Sequence, residues 1–224
     1  MLSIFYGFLL SLVAYLLAKP CNRLIPQVPV IVFSMIIILG LLFVLGIPYE
    51  KYMDEVNPLF NHLLGYVTVA LAIPLAAMRY DDLPVKGIVG ILVFASISAV
   101  ALPMGLAYLL HMSSGDIMAF ATRAVTTPIA INVATLLNAP VHMAILIVIL
   151  SGVVGAAFSP FILRRINDER AAGLALGLAA HAIGTAQAWQ RGSVAGRYAA
   201  FGMAVNAVFT AIWLPTFIHL LKIM

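Results

Sequence analysis

The sequence predicts an all-α fold: a polytopic membrane helical bundle of about six full spans with two broken or re-entrant segments and an inverted repeat as a candidate symmetry. Three observations predict it. Of 224 residues, 64% are hydrophobic and only 9% are charged, far from the balance of a water-soluble domain. The apolar residues fall into long runs bounded by Pro, Gly or charge. Two of those runs, around Thr126 to Pro128 and His181 to Gln187, are interrupted by polar and helix-breaking residues.

A helix needs about 20 mostly apolar residues to cross the hydrocarbon core. By that measure 2–18, 28–46, 58–78, 86–110, 141–163 and 196–221 are the expected spans, packed as one domain over residues 1–224. Residues 2–18 lack a basic leader and a good cleavage site, so they read as a retained first helix. The net charge of +4 comes from Lys and Arg scattered through short connections, which fits helix orientation better than nucleic-acid binding. A single cysteine, Cys21, excludes a disulfide framework and zinc sites built on paired cysteines. No metal site and no cofactor are expected.

Segments 115–135 and 171–190 are apolar enough to enter a bilayer but crowded with polar groups. The first holds Arg123, Thr126, Thr127, Pro128 and Asn132; the second holds His181, Gly184, Thr185 and Gln187. Aligned at an offset of 58 residues they pair Gly115 with Gly173, Ala121 with Ala179, Ala124 with Ala182, Thr127 with Thr185 and Ala130 with Ala188, and place Arg123 on His181. Interrupted segments in corresponding places are what a repeat-built transporter shows, although small residues recur in membrane helices for packing alone.

Charge gives topology. Lys19 and Arg23 mark the first connection as cytoplasmic, the acidic 47–57 connection lies outside, and Arg79 with Lys86 returns the chain to the cytoplasm. If 115–135 crossed fully, Arg164, Arg165 and Arg170 would be extracellular. A hairpin entering and leaving on the outer side avoids this, so 115–135 is expected to re-enter. Charge does not decide whether 171–190 crosses or turns back, because Arg191 and Arg197 follow it.

A Pro in a membrane segment removes a backbone donor, and neighbouring Thr hydroxyls can replace the lost bond. Thr126-Thr127-Pro128 thus reads as a helix break with a polar lining. In the second segment Gly184 offers backbone freedom, Thr185 a hydroxyl and Gln187 an amide. Each motif also admits a plain reading as kink or packing contact, Arg123 as a snorkelling residue, and His181 as a satisfied packing residue. No Asp or Glu lies in the interior of the expected spans, so the embedded groups are donors, and donors with helix N-termini favour an anion such as a small carboxylate. Thr68, in a segment kinked at Pro74, and Asn206, with Thr210 one turn on, are secondary cavity candidates. Enzymatic motifs are absent from the sequence, and no enzyme is expected.

At these residues the chain resembles the LrgB/CidB family of holin- and antiholin-like bacterial membrane proteins, which is also similar to the C-terminal half of the plant plastid glycolate/glycerate transporter. The resemblance rests on residues 68–75, on Val125-Thr126-Thr127-Pro128-Ile129-Ala130 and on Ala180-His181-Ala182-Ile183-Gly184-Thr185-Ala186, and covers essentially the whole chain. It implies a multi-pass protein of the bacterial inner membrane that exchanges small monocarboxylates such as glycolate, lactate, pyruvate or acetate. The carrier is the leading expectation; the alternative is a holin/antiholin-like regulator of murein hydrolase activity and cell lysis without carrier activity. A small LrgA/CidA-type membrane partner is implied too, and a homo-oligomer is the expected assembly. The chain departs from the family pattern with Arg123 in place of Lys, Asn132 in place of Glu, Gln187 in place of Arg and Ala182 in place of Gly. Lost charge at Gln187 bears on substrate affinity, not on fold.

Overall fold

The computed structural model describes residues 4–25, 28–70, 73 and 85–223. All regular structure among them is helical, and the chain packs as two units, 1–70 and 71–224. Pro74, Arg79 and the side chains of Thr68 and Lys86 lie outside the described residues.

In the first unit, α1 (Ile4–Leu24), α2 (Val30–Val44) and α3 (Tyr49–Ala70) pack together. Gly7 lets α3 approach α1 so closely that a Cβ there would sit 2.3 Å from Val56, and the Ser11 and Tyr52 hydroxyls share a 2.6 Å hydrogen bond. The acidic connection expected at 47–57 is instead mostly helix. Tyr52, Val56 and Phe60 recur every four residues and meet Leu42 and Ile38, while Glu50, Lys51 and Asp54 face outward. Amphipathic spacing, not charge content, decides that turn. Helix α1 likewise runs past Lys19 and Pro20 to Leu24.

The second unit holds α4 (Val85–Leu109), α5 (Ser114–Phe120), α6 (Thr127–Leu136), α7 (Val141–Ile162), α8 (Glu169–Arg191) and α9 (Ser193–Ile223). Helices α4 and α9 run side by side in one direction, with Leu92 near Val205, Ser96 bonded to Thr210 at 2.9 Å, and Val100 against Leu214 and Ile218. Trp213 Nε1 donates to the same Ser96 hydroxyl at 3.1 Å. Thr210 is therefore an interhelical packing bond.

Helices α5 and α6 form a hairpin. Ser113 caps α5 by accepting from the Asp116 amide, and His111 and Asn138, both at φ 55°, end α4 and α6 in the left-handed cap conformation. Ala119 meets Ala134 and Ala139, and Gly115 lies against Pro140, so the segment ends where it began.

Helix α8 also turns back on itself. A straight helix would hold residues 169 and 191 about 33 Å apart, far beyond side-chain reach, yet Arg191 Nε donates to Glu169 Oε1 at 2.9 Å. The helix breaks at Ala180 (φ −130°, ψ 15°) and His181 (φ 39°, ψ −124°). Its incoming half runs parallel to the start of α9, where Gly173 and Gly177 would place Cβ atoms 2.1 and 2.0 Å from the Ala195 and Ala199 carbonyl oxygens. Small residues four apart allow that approach. The outgoing half runs antiparallel to α9, with Trp189 over Gly196 and Thr185 beside Met203.

Sequence reading placed the flexible backbone at Gly184, and the structure corrects this. Gly184 is helical, and a Cβ there would lie 2.3 Å from the Leu176 carbonyl oxygen and 2.7 Å from the Ala180 Cβ. It serves close packing between the two halves. The left-handed turn falls on His181, a residue for which that conformation is strained.

Five described helices are long and apolar enough to cross a membrane: α1, α4, α7, α8 and α9. Helix α8 belongs there by length and composition alone, since it doubles back. Within 71–224 the order is thus helix, hairpin, helix, hairpin, helix, and the two hairpins open toward opposite ends of α7.

Candidate functional site

The two breaks meet at the middle of α7. The first break covers 121–126, between α5 and α6. From it the Arg123 Nη1 donates to Ser151 Oγ at 3.1 Å. From the second, His181 Nε2–H donates to the Val148 carbonyl at 3.1 Å, and the imidazole packs against Gly152, where a Cβ would stand 2.6 Å from Cε1. At Gly155, one turn on, an added Cβ would stand 2.8 Å from the Ala180 Cβ. Only small residues at 151, 152 and 155 let both breaks reach the helix.

Several polar atoms here are buried without a partner: Arg123 Nε, Thr126 Oγ1 and Asn206 Oδ1. Asn206 reaches over from α9, its amide donating to the Ala124 carbonyl at 2.8 Å. Thr126 is the N-terminal flanking residue of α6, yet its hydroxyl does not cap that helix, and Pro128 occupies the first turn, where its missing N–H costs nothing. Pro128 opens a new helix instead of kinking a continuous one. The free amides of that first turn, the unbonded Thr126 hydroxyl and the guanidinium form a donor-rich locus, and buried polar groups in folded proteins are normally satisfied.

Arg123 also lines a groove of about 470 Å³ between α4 and the incoming half of α8. The rest of its described wall is apolar or weakly polar, including Ala95, Leu102, Ala171, Ala175 and Leu178, so Arg123 is the only charged lining residue among the described residues. A convergent cation in an apolar groove suits a small anion with an apolar body.

The sequence candidates divide accordingly. Arg123 and His181 come together on α7 at Ser151 and Val148, while Asn206 bonds the Ala124 carbonyl of the first break and Thr126 closes that break with a buried, unpartnered hydroxyl. Thr127 and Pro128 follow at the start of α6, half-buried. Gly184 and Thr185 are buried in the outgoing half of α8, with Thr185 directed at the Met203 sulfur at 3.7 Å. Gln187 is half-buried farther along that half, and Asn132 is exposed on the far side of α6 from Ala130, Val133 and Ala134. The structure does not bring Asn132 to the others. Thr68 belongs to the first unit, with its side chain outside the described residues.

Sequence reasoning missed Ser151, Gly152 and the Glu169–Arg191 staple. Arg191 also donates to the carbonyls of Leu163 and Ile166, tying the mouth of the hairpin to the α7–α8 connection. The signal was available as a Ser-Gly-x-x-Gly run in an otherwise bulky α7, and as opposite charges at the two ends of one apolar segment.

A sequence model of the LrgB-like family matches residues 11–220. The chain is 32% identical over 209 residues to the Bacillus subtilis protein YwbG, covering 90% of this chain and 91% of that one. It is 31% identical over 221 residues to the holin-like protein CidB of Staphylococcus aureus, covering 95% and 94%. A holin-like protein CidB of Staphylococcus epidermidis is 28% identical over 86% of this chain and 84% of its own length. No solved structure matches.

Proposed function

The chain belongs to the LrgB-like family, and from that premise we propose that this multi-pass membrane protein is a holin/antiholin-like regulator of cell lysis in the bacterial inner membrane. That the staphylococcal relatives are named holin-like proteins supports the reading. Deletion and overexpression in the native host, followed by lysis under membrane-energy stress, test it. An unchanged lysis profile in both strains contradicts it.

A specific observation favours a second reading, that the protein passes small organic anions by alternating access. Among the described residues Arg123 is the only charged one lining an apolar groove, and it sits where two hairpins opening toward opposite ends meet. In a bilayer this arrangement is a pair of re-entrant hairpins related by inversion, the design in which half-helix ends face a midplane site. Orientation agrees. The hairpin formed by α8 gathers Arg164, Arg165, Arg170, Arg191 and Arg197 at one end of the second unit, the end that the positive-inside bias assigns to the cytoplasm.

Flux of glycolate, lactate, pyruvate and acetate in proteoliposomes separates the readings when wild type is compared with Arg123→Gln, Thr126→Val and His181→Ala. A carrier gives saturable flux lost in Arg123→Gln while an entrapped neutral dye stays inside. Equal flux in all four removes the site assignment, and dye leakage by wild type favours an ungated pore. No flux with an intact lysis phenotype leaves the regulator reading alone.

A further inference from the structure

A second cavity of about 240 Å³ lies at the mouth of the α8 hairpin, lined by Ile88 and Ile91 of α4, Asp168, Arg170, Ala171 and Leu174 of the α8 segment, and Tyr198 of α9. Ile91, Ala171 and Leu174 also line the groove that holds Arg123. Three shared wall residues make the two spaces neighbours along one path. It has a polar mouth at Arg170 and Tyr198, an apolar middle, and Arg123 at its deep end beside Leu178 and Ala179. From Arg170 to Leu178 the incoming half of α8 rises about 12 Å.

The mouth is built to exchange partners. Asp168 caps α8 by accepting from the Arg170 amide at 2.8 Å, while the Arg170 guanidinium stands 3.4 Å from each Asp168 oxygen, at the long limit of a hydrogen bond. Both side chains are more than half exposed, at 55% and 51%. A guanidinium carries five N–H donors, so donors remain for an incoming carboxylate. Arg164 of the same connection is differently placed, its guanidinium stacked 4.9 Å from the Phe161 ring and outside the cavity wall.

We propose that Arg170 is the capture residue of an entry vestibule, through which a small organic carboxylate with an apolar body reaches Arg123 from the face carrying the 163–168 connection. The proposal rests on the carrier reading above. Arg170 attracts the anion and orients its carboxylate. The apolar stretch accepts its body while excluding inorganic ions that keep their hydration, and Asp168 competes for the guanidinium and so sets the affinity of the mouth.

The test is initial-rate lactate uptake by the full chain in vesicles with the 163–168 face outward. Arg170→Gln raises KM at least about threefold, and raised salt shrinks its difference from wild type, as expected of electrostatic capture. Asp168→Asn, which keeps a capping side chain, lowers KM. Arg170→Lys stays within about twofold of wild type, and Arg164→Gln is unchanged, since long-range capture depends on where the charge sits. Opposite shifts in the Arg170 and Asp168 variants are not what a merely structural role produces. Unchanged KM in Arg170→Gln together with lost flux in Arg123→Gln overturns the vestibule and leaves the carrier. Absence of flux in wild type overturns both.

Discussion

Replacing Gly177 with Ala tests how the α8 hairpin is seated. The added Cβ would lie 2.0 Å from the Ala199 carbonyl oxygen and 2.8 Å from the Ala199 Cα. Non-bonded heavy atoms settle at about 3.5 Å or more, so α8 and α9 would have to separate by about 1.5 Å. The obstacle is backbone and cannot rotate away. Overpacking of this kind costs about 1–3 kcal/mol, while exchanging Gly for Ala in a helix returns up to about 1 kcal/mol. A net loss of about 1–2 kcal/mol corresponds to a melting temperature about 2–8 °C lower for a chain of this size. Gly90→Ala is the control, because no atom lies within 4 Å of its added Cβ, and it should melt at or slightly above wild type. Tryptophan fluorescence of detergent-purified protein during heating reads both. If Gly177→Ala melts with Gly90→Ala, the close parallel packing of α8 on α9 is wrong.

Three further outcomes follow from the same geometry. Gly152→Ala places a Cβ 2.6 Å from the His181 ring, displacing it from the Val148 carbonyl at a cost of about 0.5–1.5 kcal/mol for the hydrogen bond; lowered melting and reduced anion flux are expected, and wild-type values for both would show that the ring is not fixed there. Glu169→Cys with Arg191→Cys, in a Cys21→Ser background, should form an intramolecular disulfide on mild oxidation, detected by mass spectrometry; no link at all is the result for a straight helix. The Arg170 amide, and after it the Arg170 guanidinium, hold the Asp168 carboxyl below its ordinary range; a depressed carboxyl stabilises the fold above its unfolded pKa and loses that effect as pH falls through the folded value, so the melting difference between wild type and Asp168→Ala should narrow on acidification below about pH 4.

Sequence reading located both broken segments because polar residues crowd them, and the 58-residue offset paired Arg123 with His181, the two residues that the structure sets on the same stretch of α7. In the structure Gly115 lies against Pro140, so α5 and α6 fold back on each other; the outer-side re-entry that charge predicts for 115–135 is what accessibility labelling decides. What the sequence did not reveal has physical causes. Glycine signals two things, left-handed backbone and close approach, and at Gly184 the second applies, while the left-handed turn falls on His181. Asn132 looked like a site residue because an apolar segment gives no periodicity to say which face is inward; only the burial of Ala130, Val133 and Ala134 shows that it faces away. The groove walls at Ala171, Ala175 and Leu178 carry no polar signal at all. Charges hid the start of α3, where they occupy the outer face of a real helix.

Two hairpins entering from opposite faces are the central feature of this fold, and impermeant maleimide labelling of single cysteines in right-side-out and inverted vesicles tests them directly. With Cys21→Ser as background, Asn167→Cys and Gly192→Cys should label from the same face, and His111→Cys and Asn138→Cys from the other. Labelling of positions 167 and 192 from opposite faces would make 169–191 a crossing helix and contradict the meeting of the two breaks at Arg123.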